Sequence, residues 1–192
     1  MIVRQIENQV KDKLFNKKAI LIFGARQVGK TSFIKKIVNE EKHIWLSGDE
    51  PDVQQLLENI TSERINQLVG TNNILVIDEA QMISNIGLLI KRIVDNSNHI
   101  QVIATGSSAF ELADKTKESL IGRKFEFQLF PISYSEMVQH SDWLTQKRTV
   151  QHYLVNGLYP EVINEKGNEI VVLKDISESF LFKDLFDTFL AF

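Results

Sequence analysis

Short, almost wholly apolar runs alternate along this chain with stretches in which apolar residues recur at helical spacing. Ala19-Ile20-Leu21-Ile22-Phe23, Ile74-Leu75-Val76-Ile77-Asp78-Glu79 and Ile100-Gln101-Val102-Ile103-Ala104-Thr105-Gly106 read as strands, the first two apolar in the way strands covered on both faces are. His43-Ile44-Trp45-Leu46-Ser47 and Lys124-Phe125-Glu126-Phe127-Gln128-Leu129 add two more. The row Ile2, Ile6, Val10, Leu14 predicts an amphipathic helix over residues 2–15. Further helical patterns cover Ser32–Val38, Val53–Val69, residues 86–95 and residues 108–119. This alternation predicts a three-layer αβα domain around a mainly parallel five-stranded sheet, ending near Pro131.

From Ser133 the strand pattern fades, and helices are expected at Tyr134–His140, Trp143–Val155 and Ile170–Leu190. The expected organisation is therefore a core over residues 1–132 and a small helical, lid-like region over residues 133–192. Phe180, Leu181, Phe182, Leu185, Phe186, Phe189, Leu190 and Phe192 crowd the final segment. Such a segment is expected to dock on the helical region or on another chain, or to begin a truncated C-terminal domain.

Composition adds limits rather than a direction. Hydrophobic residues are 43% and charged residues 24% of the 192, an ordinary globular balance. A net charge of −3 supplies no general attraction to nucleic acid or to an anionic membrane. The absence of Cys excludes disulfides and thiolate metal sites. The N-terminus lacks the apolar centre of a signal peptide, and no apolar run approaches the ~18 residues of a membrane span. A cytoplasmic protein is expected. His43, His99, His140 and His152 show no metal-ligand spacing with carboxylates, and Trp45 and Trp143 read as core.

Candidate chemistry begins between the first strand and its helix. Gly24-Ala25-Arg26-Gln27-Val28-Gly29-Lys30-Thr31 fits G-x-x-x-x-G-K-[ST] in the strand–loop–helix context that a phosphate-binding loop requires. The glycines let the backbone curl, its N–H groups face inward, and the helix dipole points its positive end at the same place. Residues 24–32, through Ser32, are thus expected to cradle a polyphosphate, with Lys30 reaching the β and γ phosphates. Thr31 would take a position on Mg²⁺. The side chains of Arg26 and Gln27 carry no assigned role.

The third strand delivers Asp78 and Glu79 at its C-terminal end, the edge where such sheets place ligands. Asp78 would hold Mg²⁺ through water, and Glu79 would orient and deprotonate an attacking water. The competing reading makes both residues helix caps. At the end of the fourth strand Thr105-Gly106-Ser107-Ser108 offers hydroxyls at the same edge; Ser107 is favoured as a contact to the γ-phosphate or the water, with N-capping an equal alternative. Arg123, beside Lys124, could neutralise charge on the γ-phosphate from its own subunit or a neighbouring one.

GARQVGKT, ILVIDEAQ, VIATGSS, the Gly122-Arg123 pair before Phe125–Ser133, and Tyr153–Pro160 together resemble the AAA+ superfamily, in particular a group of bacterial and archaeal single-module ATP-binding proteins. The resemblance covers about Arg4 to Pro160. It implies a P-loop NTPase fold, Lys30 and Thr31 as Walker A, Asp78 and Glu79 as Walker B, Ser107 as sensor 1 and Arg123 as an arginine finger. It implies ATP and Mg²⁺ as cofactors, and a further C-terminal domain that would make this chain an N-terminal half. No clear second sensor arginine stands in the helical region, where Arg148 is the candidate.

The function this implies is an ATPase that drives a conformational or assembly change in a protein or nucleic-acid partner, with a homo-oligomer possible in principle. The alternatives are a nucleotide-controlled switch with negligible turnover and a small-molecule kinase, the latter disfavoured because a base for water beside the phosphate is a liability there. No Asn-Lys-x-Asp guanine-reading motif and no Leu-Ser-Gly-Gly-Gln transport signature occurs.

Overall fold

The structure, a computed structural model, describes residues 2–58, 60–97, 99–106 and 120–178. Five parallel strands form one sheet in the order β2-β3-β4-β1-β5. They are β1 (Ala19–Phe23), β2 (His43–Ser47), β3 (Ile74–Asp78), β4 (Gln101–Gly106) and β5 (Lys124–Gln128). β1, β3 and β4 are buried at every position, which accounts for the apolar runs Ala19–Phe23, Ile74–Ile77 and Val102–Ala104 within them. The flanking helices are α1 (Glu7–Lys11), α2 (Lys30–Ile37), α3 (Pro51–Glu58), α4 (Ser62–Val69) and α5 (Ile86–Asn96). Leu21, Phe23, Leu75 and Ile77 from the sheet join Ile65, Val69, Ile86, Ile90 and Ile93 from the helices in one core. The αβα architecture expected from the sequence is the one observed.

Register places the chemistry. Ser47 lies opposite Asp78, Ile77 opposite Ala104 and Phe23 opposite Gly106, so β1 to β4 all end at one edge of the sheet. Gly48, Glu79, Thr105 and the loop after Phe23 gather at that edge.

Two expected helices differ. The stretch Val53–Val69 is broken into α3 and α4, because Thr61 adopts extended backbone and its hydroxyl accepts the Arg64 N–H as an N-cap. The helix expected over residues 2–15 contracts to Glu7–Lys11. Arg4 is engaged elsewhere, and Phe15 at φ 59 takes a left-handed conformation that cannot continue a helix.

The chain forms two compact units. The larger comprises Gln5–Ala25 and Lys30–Leu129, and the smaller the described parts of Met1–Arg4, Arg26–Gly29 and Phe130–Phe192. In the smaller unit α6 (Tyr134–His140) opens with a capping box in which Ser133 and Glu136 satisfy each other's backbone N–H groups. α7 (Trp143–Asn156) is capped by Asp142, and Gly157 at φ 71 ends it. Pro160 opens the short α8 (Pro160–Asn164), which the sequence did not predict, and residues 169–178 are helical. Val162, Val172 and Ile176 pack together there. Trp143 is 58% exposed, with the Lys147 ammonium 4.7 Å from its ring centre, and Trp45 is half-buried, so neither is a true core residue. The helix expected at 108–119 and the Phe-rich segment from Phe180 onward lie outside the described residues.

Candidate functional site

A five-residue apolar strand runs straight into the phosphate-loop sequence, and α2 begins at Lys30. Within the loop Gln27 (φ 59) and Gly29 (φ 92) are both left-handed. Backbone of this kind curls so that successive N–H groups share a concave side. Lys30 is buried, and its Nζ donates to the carbonyls of Gly24 (2.9 Å) and Ala25 (3.1 Å). The ammonium is thereby held over the backbone of the loop it would serve. Arg26–Gly29 group with the smaller unit, where Arg4 Nη1 donates to the Val28 carbonyl at 3.1 Å, Nη2 to the Phe130 carbonyl, and Nε to Glu136 Oε1 at 3.2 Å.

Across the sheet edge one carboxylate organises the hydroxyls. Asp78 Oδ2 accepts from Thr31 Oγ1 at 2.9 Å and Oδ1 from Thr105 Oγ1 at 2.5 Å. Thr105 is fully buried, and its oxygen also accepts the Glu79 N–H at 2.9 Å. One hydroxyl therefore fixes both acidic residues. Glu79 itself is left-handed (φ 49, ψ 44), a conformation that costs a residue with a Cβ about 1–2 kcal/mol. Its carboxylate caps nothing, although it stands at the N-cap position of the short 3₁₀ turn Ala80–Met82. Gln81 Nε2 donates to Glu79 Oε2 at 2.6 Å.

Gly48, directly after β2, completes the arrangement. Its N–H donates to the Asp78 carbonyl at 2.7 Å, and a Cβ at this position would lie 2.4 Å from the Glu79 carbonyl oxygen. The sequence alone assigns Gly48 no role at the site. Among the described residues no group of three or more His, Asp or Glu is placed to hold a metal by itself. The Thr31–Asp78 pair instead offers one hydroxyl and one carboxylate, the sparse donor set suited to a Mg²⁺ that takes its remaining ligands from phosphates and water.

Of the remaining candidates, Arg123 is not brought to this edge. It precedes β5 at the opposite end of the sheet, where its carbonyl accepts the Ala19 N–H at 2.9 Å and Lys124 pairs with Ala19. The five residues of β1 separate it from the loop by about 16 Å. Its Nε donates to Asp95 Oδ1 at 2.6 Å. Ser107 lies outside the described residues. Thr105, passed over in favour of Ser107 in the same Thr-Gly-Ser-Ser run, is the hydroxyl that touches Asp78 and Glu79.

Comparison with known proteins finds uncharacterized protein MJ1544 of Methanocaldococcus jannaschii, 24% identical over 203 residues that cover 94% of this chain and 44% of the relative. A second protein of that organism, MJ1637, is 26% identical over 159 residues, covering 77% of this chain and 31% of the relative. The chain thus spans less than half the length of the curated relatives it matches. Among solved structures, the Walker-type ATPase paby2304 of Pyrococcus abyssi aligns over 100% of this chain and 75% of its own, with a TM-score of 0.63 at 16% identity. The Aeropyrum pernix ORC2 protein, in ADPNP and ADP complexes, aligns over 77% of this chain and 53% of its own, with a TM-score of 0.52 at 13% identity. At such identities these likenesses speak for the fold alone. Residues 16–138, well over half of the chain and inclusive of all five strands among the described residues, match the model of the AAA domain, and the chain belongs to that family.

Proposed function

We propose that this protein binds ATP with Mg²⁺ at Gly24–Ser32 and hydrolyses it in the cytoplasm, using the reaction to change the conformation or assembly of a protein or nucleic-acid partner. The observation that carries the reading is the network in which Thr31 and Thr105 both donate to Asp78 while Thr105 fixes the backbone of Glu79. Backbone N–H groups of the loop and the Lys30 ammonium bind the phosphates, and the family match and the ATPase fold support a nucleotide there. Thr31 and Asp78 would hold Mg²⁺, which when bound neutralises charge on the phosphate oxygens.

Glu79 takes the proton of the attacking water as its oxygen bonds to the γ-phosphorus and the bond from that phosphorus to the bridging oxygen breaks, releasing ADP and phosphate. Arg123 acts in trans, from a neighbouring copy, on the charge that grows in the transition state. Ser107 is the candidate γ-phosphate sensor.

Calorimetry and phosphate release on the same variants test the reading. Lys30→Ala should lose Mg²⁺-ATP affinity while remaining folded. Glu79→Gln should bind ATP as the wild type does, with turnover lower by about 10²–10⁴-fold. Unchanged ATP affinity in folded Lys30→Ala overturns the site. Tight binding without wild-type turnover favours the switch.

A further inference from the structure

The sequence Asp78-Glu79-Ala80-Gln81 places an amide two residues after the proposed base. Residues two apart do not face each other on a helix, and in a strand they stand side by side without folding together. Here the left-handed backbone at Glu79 and the 3₁₀ turn that follows reverse the chain, so that Gln81 meets Glu79 side chain to side chain. The bond is short, 2.6 Å, and its acceptor is a carboxylate oxygen. Gln81 is only 3% exposed, so its amide cannot exchange Glu79 for solvent at little cost, whereas Glu79 is itself half-buried and reachable.

The backbone of Glu79 is fixed separately, by its N–H bond to Thr105 and by the close approach of Gly48. Those contacts leave the side-chain torsions of Glu79 free to rotate. A flexible carboxylate pays for orientation at each turnover, and a misplacement of about 1 Å costs on the order of 10²-fold in rate.

We propose that Gln81 is the positioning residue for Glu79: its amide ties Oε2 and so presents Oε1 to the attacking water. The inference rests on the general-base reading above. Gln81 touches neither water nor phosphate in this role; it acts through the carboxylate it holds, and removing it alters kcat without altering nucleotide affinity.

The test uses the full chain, with single-turnover phosphate release, ATP affinity by calorimetry and thermal melting on Gln81→Met, Glu79→Gln and the double variant. Methionine keeps the volume and removes the donor. The expected result is a kcat lower by about 10–100-fold in Gln81→Met with ATP affinity and melting unchanged, and no further loss when Gln81→Met is added to Glu79→Gln. Gln81→Asn, which stays polar but is too short to reach Oε2, should show the same fall, and it carries the test if the methionine variant unfolds. Wild-type kcat in a folded Gln81 variant overturns the proposal. So does an equal further loss on the Glu79→Gln background, because Gln81 would then act independently of Glu79. If Glu79→Gln itself turns over normally, the general-base reading fails first, and that result is visible before Gln81 is touched.

Discussion

Gly48→Ala should disturb the sheet edge that carries Asp78 and Glu79 more than its single methyl group suggests. The added Cβ would stand 2.4 Å from the Glu79 carbonyl oxygen, 3.1 Å from its carbon and 3.2 Å from the Asp78 carbonyl oxygen. Ordinary contact begins near 3.4 Å, so the two backbones must part by about 1 Å. Both partners are main chain, and no side chain can rotate away to relieve the contact. Overpacking of this kind costs about 1–3 kcal/mol. Losing the 2.7 Å bond from the Gly48 N–H to Asp78 adds about 0.5–1.5 kcal/mol, while alanine returns about 0.4–1 kcal/mol by stiffening the unfolded chain. The net expectation is a loss of about 0.5–4 kcal/mol in urea denaturation.

The same 1 Å displaces the segment that carries the proposed base, Glu79, which predicts a fall in turnover on the order of 10²-fold. ATP affinity should fall less than turnover, because Lys30 is held by the Gly24 and Ala25 carbonyls and not by the segment that Gly48 touches. A folded Gly48→Ala protein with wild-type stability and single-turnover rate would refute the reasoning.

Other perturbations reach different parts of the molecule. Mixing Arg123→Ala with Lys30→Ala protein should restore part of the lost phosphate release if Arg123 serves a neighbouring subunit; no recovery despite demonstrated mixed assembly would remove it as a trans finger. Arg4→Ala withdraws the guanidinium from a Glu136 side chain that is 6% exposed, and should lower stability by about 3 kcal/mol in urea denaturation. Arg4→Lys should recover only part of that, since an ammonium cannot reproduce the forked contacts to Val28 and Phe130, and a loss below about 1 kcal/mol in Arg4→Ala would contradict the account. At Glu7, burial pushes the carboxyl up, but hydrogen bonds from Lys36 and Lys11 together override it and hold the group below its ordinary value. Its contribution, about 1 kcal/mol after allowing for the part-exposed lysines, should be complete above the unfolded value near ~4.3 and lost as pH falls through the lower folded value. Glu7→Gln should flatten that part of the pH–stability curve, and an unchanged curve would refute it.

The sheet was legible because β1, β3 and β4 are buried on both faces, and burial of that kind writes itself as consecutive apolar residues. The candidate loop at Gly24–Thr31 and the Asp78-Glu79 pair stand out in the sequence because each is local: the proposed chemistry needs neighbours in sequence. What failed depends on partners distant in sequence. Arg4 meets residues 24, 126 and 132 positions away, and nothing in residues 2–15 alone shows that this demand outcompetes a helix. Thr61 resembled any other polar residue on a helical face until its backbone turned extended.

The two residues that fix the Glu79 backbone, Gly48 and Thr105, share one cause of illegibility, and it bears on how the site is built. Gly48 follows β2, Glu79 follows β3, and Thr105 lies near the end of β4; they meet only because β3 is laid between β2 and β4 in parallel register. From the sequence a glycine after a strand is a chain break and a threonine near a strand end is a surface hydroxyl. Once the strand order is known, the glycine becomes the space that the Glu79 carbonyl occupies, and the threonine becomes the bond that joins Asp78 to Glu79. The strained left-handed backbone of Glu79 is then held from both sides, by Gly48 after one neighbouring strand and by Thr105 in the other. Only its carboxylate torsions escape the sheet, and these are what the Gln81 amide constrains.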